Sequence, residues 1–363
     1  MDTHWKPSLR AYRVSASSHF DGDDEYDSKM IPWVRTVISG VGIMRHPKYN
    51  KGLAFSDKER DTLHLRGLLP PAVLSLSTQI KRVMINIRMK ASDLERYSYM
   101  QGLQERNEHL FFHVVREHIG ELLPVVHLPT VRQACKKHGL MFKSLPRSLF
   151  LTRQDKGDVR QVLKNWPERR IKVIVITSGQ RVGAAGDIGV HAVNGAIAKL
   201  SMVTALGGVA PTLCLPILVD LGTNNEELLK SQFYSGLRHK RLDGDQEEEL
   251  MHDILNAIES RFGNKTMIML EDMSYGTSQR LLSQNRCALR DAIFMVRQCS
   301  CVDGGMNVKA DVFEQHKHLT QPDAGRQART ACCGLLGLDT QRPPVNLCLN
   351  AAATTPEECG VVV

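Results

Sequence analysis

IKVIVITSGQRVGAAGDIGVHAVNGAIAKL, residues 171–200, decides how the rest of the chain is read. Its first seven residues are apolar, mostly β-branched and without alternation, which is how a strand covered on both faces of a parallel sheet reads. A glycine-rich turn carrying Arg181 and Asp187 follows, then an apolar stretch at helical spacing that holds one lysine, Lys199. Two more such runs occur. CLPILVD (214–220) ends in Asp220, and TMIML (266–270) is followed at once by Glu271 and Asp272. Helical spacing fills the gaps between the runs, as βαβ crossovers require. The expected class is α/β, with a helical N-terminal region followed by a mostly parallel βα sheet. Ligands of open parallel sheets sit outside the carboxyl ends of the strands. Arg181, Lys199, Asp220, Glu271 and Asp272 all lie at or just beyond such ends. An arginine, a lysine and an adjacent carboxylate pair point to an anionic substrate and a divalent metal.

Composition narrows the classes. With 42% hydrophobic and 24% charged residues in 363, the chain has the make-up of a globular protein able to bury one or two cores. No run of about 18 apolar residues is present, which argues against a membrane span. The N-terminus lacks the apolar centre of a secretory signal. Residues 1–19 carry Lys6, Arg10, Arg13 and several serines with Asp2 as the one acid, so they read as a disordered tail, or alternatively as a weak organellar transit segment. The expected location is the cytoplasm, with mitochondrion or plastid as the alternative. Twelve lysines and arginines against three acids make residues 132–172 net +9, while the whole chain is +8. The patch has few interleaved aromatics and no nucleic-acid motif, so a solvated surface that draws in small anions fits it better than nucleic acid does. Nine cysteines, seven of them after residue 286, follow neither zinc nor disulfide spacing and read as reduced thiols.

Along the chain, residues 1–30 read as a poorly ordered segment and 31–145 as helical. Residues 146–293 read as the parallel α/β unit and 294–363 as an irregular tail rich in breakers. Ser56 in SDKERDTL is placed to cap a helix. Leu103, Leu110, Phe111, Val114 and Val115 recur at helical spacing and predict a core face. A helix across 190–206 is predicted to stop at Gly207-Gly208. Another near 245–262 carries the stripe Leu250, Ile254, Leu255, Ile258 and Phe262 before Gly263.

The order of LRGLLPP (65–71), LQERNEHLFF (103–112), LPVVHLPTVRQAC (123–135), NWPERRIKVIVITSGQRVGAAGDIG (165–189), AKLSMVTALGGVAP (198–211), LPILVDLGTNNEELL (215–229), FYSGLRHKR (233–241) and MLEDM (269–273) resembles the malic enzyme family. The resemblance runs from near residue 20 to about residue 293. It implies oxidation of (S)-malate by NAD or NADP, decarboxylation on Mg²⁺ or Mn²⁺, and protonation to pyruvate. It further implies a small anion of the malate or pyruvate type as partner, and either a homo-oligomer or association with a full-length malic enzyme.

The same resemblance assigns roles residue by residue. Arg181 takes the place of the family's carboxylate-binding arginine, although RVGAAGDIG departs from the family's R-I-L-G-L-G-D-L-G at Gly183 and Ala184. Lys199 matches the catalytic lysine. With Ala192, Val193, Ala196, Ile197, Leu200, Met202 and Val203 around it, it is expected to face a cleft, where burial beside a cation would make it a usable base. Glu271 and Asp272 match the metal pair of F-E-D-F; a helix N-terminal acid pair is the plainer alternative. In Leu289-Arg290-Asp291-Ala292-Ile293, Asp291 takes the place of the acid that partners the lysine. Ala292 stands where the family has its third metal ligand, so the metal site is expected to be weakened. His127 stands where the family has its tyrosine acid, and a structural histidine is the competing reading. Arg82 and Arg106 match arginines that bind an activator in some members, with a structural ion pair as the alternative. No G-x-G-x-x-G follows a strand after residue 293, so no intact nicotinamide-binding Rossmann domain is expected there, and the residues that choose NAD over NADP are not to be found. Two readings follow: a malic enzyme, its activity impaired, or a non-catalytic relative that keeps the fold and an anion site.

Overall fold

The structure, a computed structural model, describes residues 39–141, 144–242, 244–264, 266–284 and 293–295. The expectations for the N-terminal segment, for Asp291 and Ala292, for the tail after Met295 and for the seven late cysteines lie outside the described residues.

Helices come first. They are α1 (Val41–Arg45), α2 (Asp57–Thr62), α3 (Leu76–Arg88), α4 (Asp93–Arg106), α5 (Glu108–Glu117), α6 (Ile119–Val126), α7 (Thr130–Lys136) and α8 (His138–Met141). Local signals start several of them. Ser56 accepts from the Glu59 amide while the Glu59 carboxylate accepts from the Ser56 amide, a reciprocal cap on α2. Ser75 accepts from the Thr78 amide at the head of α3. Ile80, Val83, Met84 and Ile87 then bury one stripe of α3 against Leu110, Phe111, Val114 and Val115 of α5 in a shared core. Each such side chain contributes about 1.5–3 kcal/mol when fully removed from water.

The second half alternates strands and helices. β1 (Leu149–Thr152), α9 (Val159–Lys164), β2 (Val173–Thr177), α10 (Val193–Gly207), β3 (Cys214–Asp220), α11 (Glu226–Lys230), α12 (Gly244–Phe262), β4 (Met267–Glu271), α13 (Tyr275–Gln284) and β5 (Ile293–Met295) follow in order. The sheet runs β1-β3-β2-β4-β5, and every neighbouring pair is parallel. All residues of β2 and β3 are buried, which is why their sequences show no alternation. Successive side chains still point to opposite faces. Ile174 and Ile176 join the core that contains Leu250, Ile254, Leu255 and Ile258 of α12, whereas Val173 and Val175 pack with Ala196, Leu200 and Val203 of α10.

α10 is therefore a middle layer, with the sheet on one side and the N-terminal helices on the other. Val193, Ala198 and Met202 belong to the same core as α5 and α7. Gly208 ends α10 in the left-handed conformation (φ 70°), its amide bonded to the Thr204 carbonyl. The described strands and helices bear out the α/β class, the three apolar runs and both helix stops.

Candidate active site

β2 and β4 are aligned so that Thr177 pairs with Glu271. The loops after both strands therefore leave the sheet side by side. Directly past the strand end, Asp272 adopts a left-handed φ of 53°, a conformation that aspartate tolerates better than most residues. Glu271 and Asp272 are 7% and 8% exposed, two adjacent carboxylates held out of water. Helix α10 covers them. A methyl group at Gly195 would lie 3.8 Å from Oδ2 of Asp272. Lys199, four residues on and so on the same face of the helix, brings Nζ to 2.5 Å from Oε1 of Glu271. Oε2 of Glu271 is buried without a partner.

The electrostatics follow from that burial. Removal from water, reinforced by the Glu271 charge, holds the Asp272 carboxyl well above the usual carboxylate range, against the pull of Lys199 and Arg132. Arg132 is a half-buried residue of α7. The Cys135 thiol, also on α7, is pushed up to about 12 by burial and then by Asp272, so it stays protonated.

His127 follows α6. Its amide donates to the Leu123 carbonyl, its own carbonyl accepts from the Val131 amide, and the Leu128–Pro129 bond beyond it is cis. Burial, and after it the charge of Lys199, push the imidazole down to about 4, with Glu271 opposing. The structure thus brings His127 within the field of the Lys199–Glu271 pair, as a neutral ring at neutral pH.

Arg181 sits differently. Its amide donates to the Asp272 carbonyl at 3.1 Å, tying the loop after β2 to the loop after β4, while the residue as a whole is exposed. Asp220, at the end of β3, spends its two oxygens on the amides of Gly222 and Leu237 at 3.0 and 2.7 Å, a loop-closing role. Neither Arg82 nor Arg106 forms an ion pair among the described residues, and Arg106 instead lies over the Tyr99 ring.

Sequence reasoning missed three participants. Gly195 lets the acid pair approach α10. Arg132 faces Asp272 from the helical region. Arg241, from the segment FYSGLRHKR, grips Asp187 of the glycine-rich loop through Nε and Nη2 at 3.1 and 2.7 Å. Asp187 marked itself by standing between glycines, but nothing in the spacing ties it to a residue 54 positions away.

Residues 104–286, half of the chain, match the family model described as the malic enzyme N-terminal domain. The chain belongs to the malic enzyme family. It is 46% identical to the chloroplastic NADP-dependent malic enzyme of Flaveria pringlei over 260 residues, 72% of this chain and 40% of that one. Over 253 residues it is 48% identical to the chloroplastic NADP-dependent malic enzyme of Oryza sativa subsp. japonica, covering 70% of this chain and 39% of the relative. NADP-dependent malic enzyme 2 of Arabidopsis thaliana is 46% identical over 258 residues, 71% of this chain and 44% of its own length. The chain thus spans about two fifths of the length of these malic enzymes. Among the described residues no helix is long and apolar enough to cross a membrane.

The residues of this malic enzyme chain fit a divalent cation in one specific respect. The partnerless Oε2 of Glu271, next to a second buried carboxyl, is an oxygen without a hydrogen bond where a hard cation takes oxygen ligands. Among the described residues there is no group of three or more His, Cys, Asp or Glu able to hold an ion.

Proposed function

We propose that this chain supplies the malate- and metal-binding half of a malic enzyme, acting in the oxidative decarboxylation of (S)-malate to pyruvate and CO₂. The observation that carries the reading is the buried trio at the end of β4: Lys199 on Oε1 of Glu271, Oε2 free, and Asp272 beside it. Glu271 and Asp272 would hold Mg²⁺ or Mn²⁺, which supplies Lewis-acid polarisation of the substrate oxygens. The hydride acceptor would be NADP, which the names of the relatives support. Arg181, exposed beside the acid pair, is the cation for the far carboxylate of malate. Lys199 would take the proton of the malate hydroxyl as a neutral amine, after the ammonium that holds Glu271 has passed its own proton to solvent. Asp291 is the family's partner for that lysine. His127 shares the pocket and orients the substrate as a neutral ring.

Purified chain, supplied with malate, Mn²⁺ and NADP, tests this by NADPH absorbance. Malate- and metal-dependent reduction that is lost in Lys199→Ala supports it, and no turnover at high protein concentration removes the catalytic reading.

A second reading has its own observation. A His127 imidazole held neutral keeps only a ring N–H, far less acidic than the phenol of the tyrosine that the family has there. That supports a non-catalytic relative that binds the anion and associates with itself or with a full-length malic enzyme. Size-exclusion chromatography with such an enzyme separates the two readings. The chloroplastic names of two relatives support a plastid location over the cytoplasm, which a fluorescent fusion would check.

A further inference from the structure

Arg241 lies far from the acid pair in sequence, and its side chain is 2% exposed. Three hydrogen bonds from its guanidinium all go to one loop. Nε donates to Oδ2 of Asp187 at 3.1 Å, Nη2 to Oδ1 of Asp187 at 2.7 Å, and Nη2 again to the Ser178 carbonyl at 3.1 Å. Ser178 and Asp187 bracket the loop that carries Arg181. Asp187 in turn receives the amides of Asn224 (2.9 Å) and Gly189 (3.1 Å), and its carbonyl accepts from the Asn225 side chain (3.1 Å). The Arg241 amide donates to the Asn224 side chain at 3.2 Å, and the next residue, Leu242, bonds to the Leu221 carbonyl. One guanidinium therefore ties together the loops after β2 and β3. The loop after β2 is tied onward to the acid pair through the Arg181 amide and the Asp272 carbonyl.

We infer that Arg241 is a positioning residue that sets the 178–189 loop and, through it, the place of Arg181 relative to Glu271 and Asp272. The inference rests on the reading of Arg181 as the carboxylate-binding cation. The geometry demands arginine. A planar fork can hold both oxygens of Asp187 and a carbonyl at once, which a lysine ammonium on a single flexible stem cannot. Burial raises the stakes, since the Arg241 guanidinium, 2% exposed, has no water to fall back on once Asp187 is lost. The pair holds Asp187 ionised: burial alone would raise its carboxyl, but Arg241 and the Asn224 amide bring it below the usual range. Bonds within the loop, from the Val182 amide to the Gly186 carbonyl and from the Ile188 amide to the Gly179 carbonyl, set its turns, and the clamp adds a tie to the segment after β3. Gly183 and Gly186 have left-handed φ values of 49° and 68°, a freedom whose cost is a loosely determined backbone.

The full chain tests this in three variants, Arg241→Lys, Arg241→Ala and Asp187→Asn, with two readouts. Amide hydrogen exchange reports the order of residues 182–189 directly. Calorimetry with Mn²⁺ alone, and with oxalate in the presence of Mn²⁺, reports the consequence. In Arg241→Lys, exchange over 182–189 should quicken by about tenfold, a local opening without global unfolding. Oxalate affinity should fall by about tenfold, the change that 1.4 kcal/mol produces, while affinity for Mn²⁺ alone moves by less than about twofold, because the acid pair lies outside the clamp. Added ethylguanidinium should restore part of the oxalate affinity of Arg241→Ala, a rescue that general loss of packing would not show. Exchange and oxalate affinity unchanged in Arg241→Lys would overturn the inference, even if the alanine variant failed to fold. Wild-type protein that binds no oxalate, alongside faster exchange in the lysine variant, would instead remove the malate reading and leave the clamp standing as a loop-ordering device.

Discussion

Lys199 and Glu271 meet head to head across the gap between α10 and β4, Nζ to Oε1 at 2.5 Å, with side chains 4% and 8% exposed. Truncating either partner leaves the other charge stranded, at a cost of about 3–5 kcal/mol. Lys199→Met and Glu271→Gln should each lower the melting temperature clearly. The double variant should lose much less than the two losses added together. Additive losses in denaturant titrations would mean that the two groups do not depend on each other.

The same pair predicts a contest with metal. Lys199 occupies an oxygen that a cation needs, so Lys199→Met should bind Mn²⁺ more tightly than the wild type, in spite of being less stable. Paramagnetic resonance of free Mn²⁺ reads this directly, and weaker binding in the variant would count against Glu271 as a ligand.

Two carboxylates leave room for substrate oxygens in the shell of a hard cation. Mn²⁺ should therefore bind weakly alone and more tightly with malate or oxalate present. Ala292→Asp, at the position where family resemblance places a third oxygen ligand, should tighten it further. Equal affinities for the wild type and Ala292→Asp in titration calorimetry would sink that alignment.

His191 lies between His138 and Tyr234, each ring centroid 5.1 Å away, the first ring tilted and the second edge-on, and both of its ring nitrogens are buried without partners. Burial, aided by His138, pushes it down to about 4, below the unfolded value of about 6.5. As pH falls through that window, the unfolded chain takes up a proton that the folded one refuses. Stability is therefore full above about pH 6.5 and is lost towards pH 4, by up to about 3 kcal/mol from this residue. His191→Phe should flatten the fall in melting temperature between pH 7 and pH 5. A variant that melts with an unaltered pH dependence would show that His191 is not the group responsible.

Gly179 opens the loop after β2 at a φ of 62°, and a Cβ there would run into the backbone carbonyl of Gly189. Gly179→Ala combines backbone strain with a clash that no rotamer relieves, so a loss of about 2–3 kcal/mol is expected. Thermal melting of the variant checks it, and an unchanged midpoint would mean that the loop can open without cost.

The legible parts of this protein were those with a local or periodic cause. The unalternating runs at 171–177, 214–220 and 266–270 became the three buried strands because burial on both faces removes any need for polar residues. Ser56, Gly208 and Gly263 acted where they stand, through their own caps and φ values. Lys199 was legible as a cleft residue because most of its helix is apolar, and it is 3% exposed.

What the chain determined by itself was its element order, its helix ends and which strand ends carry charge, since each is set by residues within a turn or two of one another. Which charges meet was decided only by the tertiary structure. Lys199 faces Glu271 because α10 lies on the sheet with Gly195 against Asp272, and Arg241 reaches Asp187 because the loops after β2 and β3 leave adjacent strands. The neutrality of the His127 ring belongs to the same category: a pKa is a property of surroundings, and those surroundings come from segments that sequence spacing does not bring together.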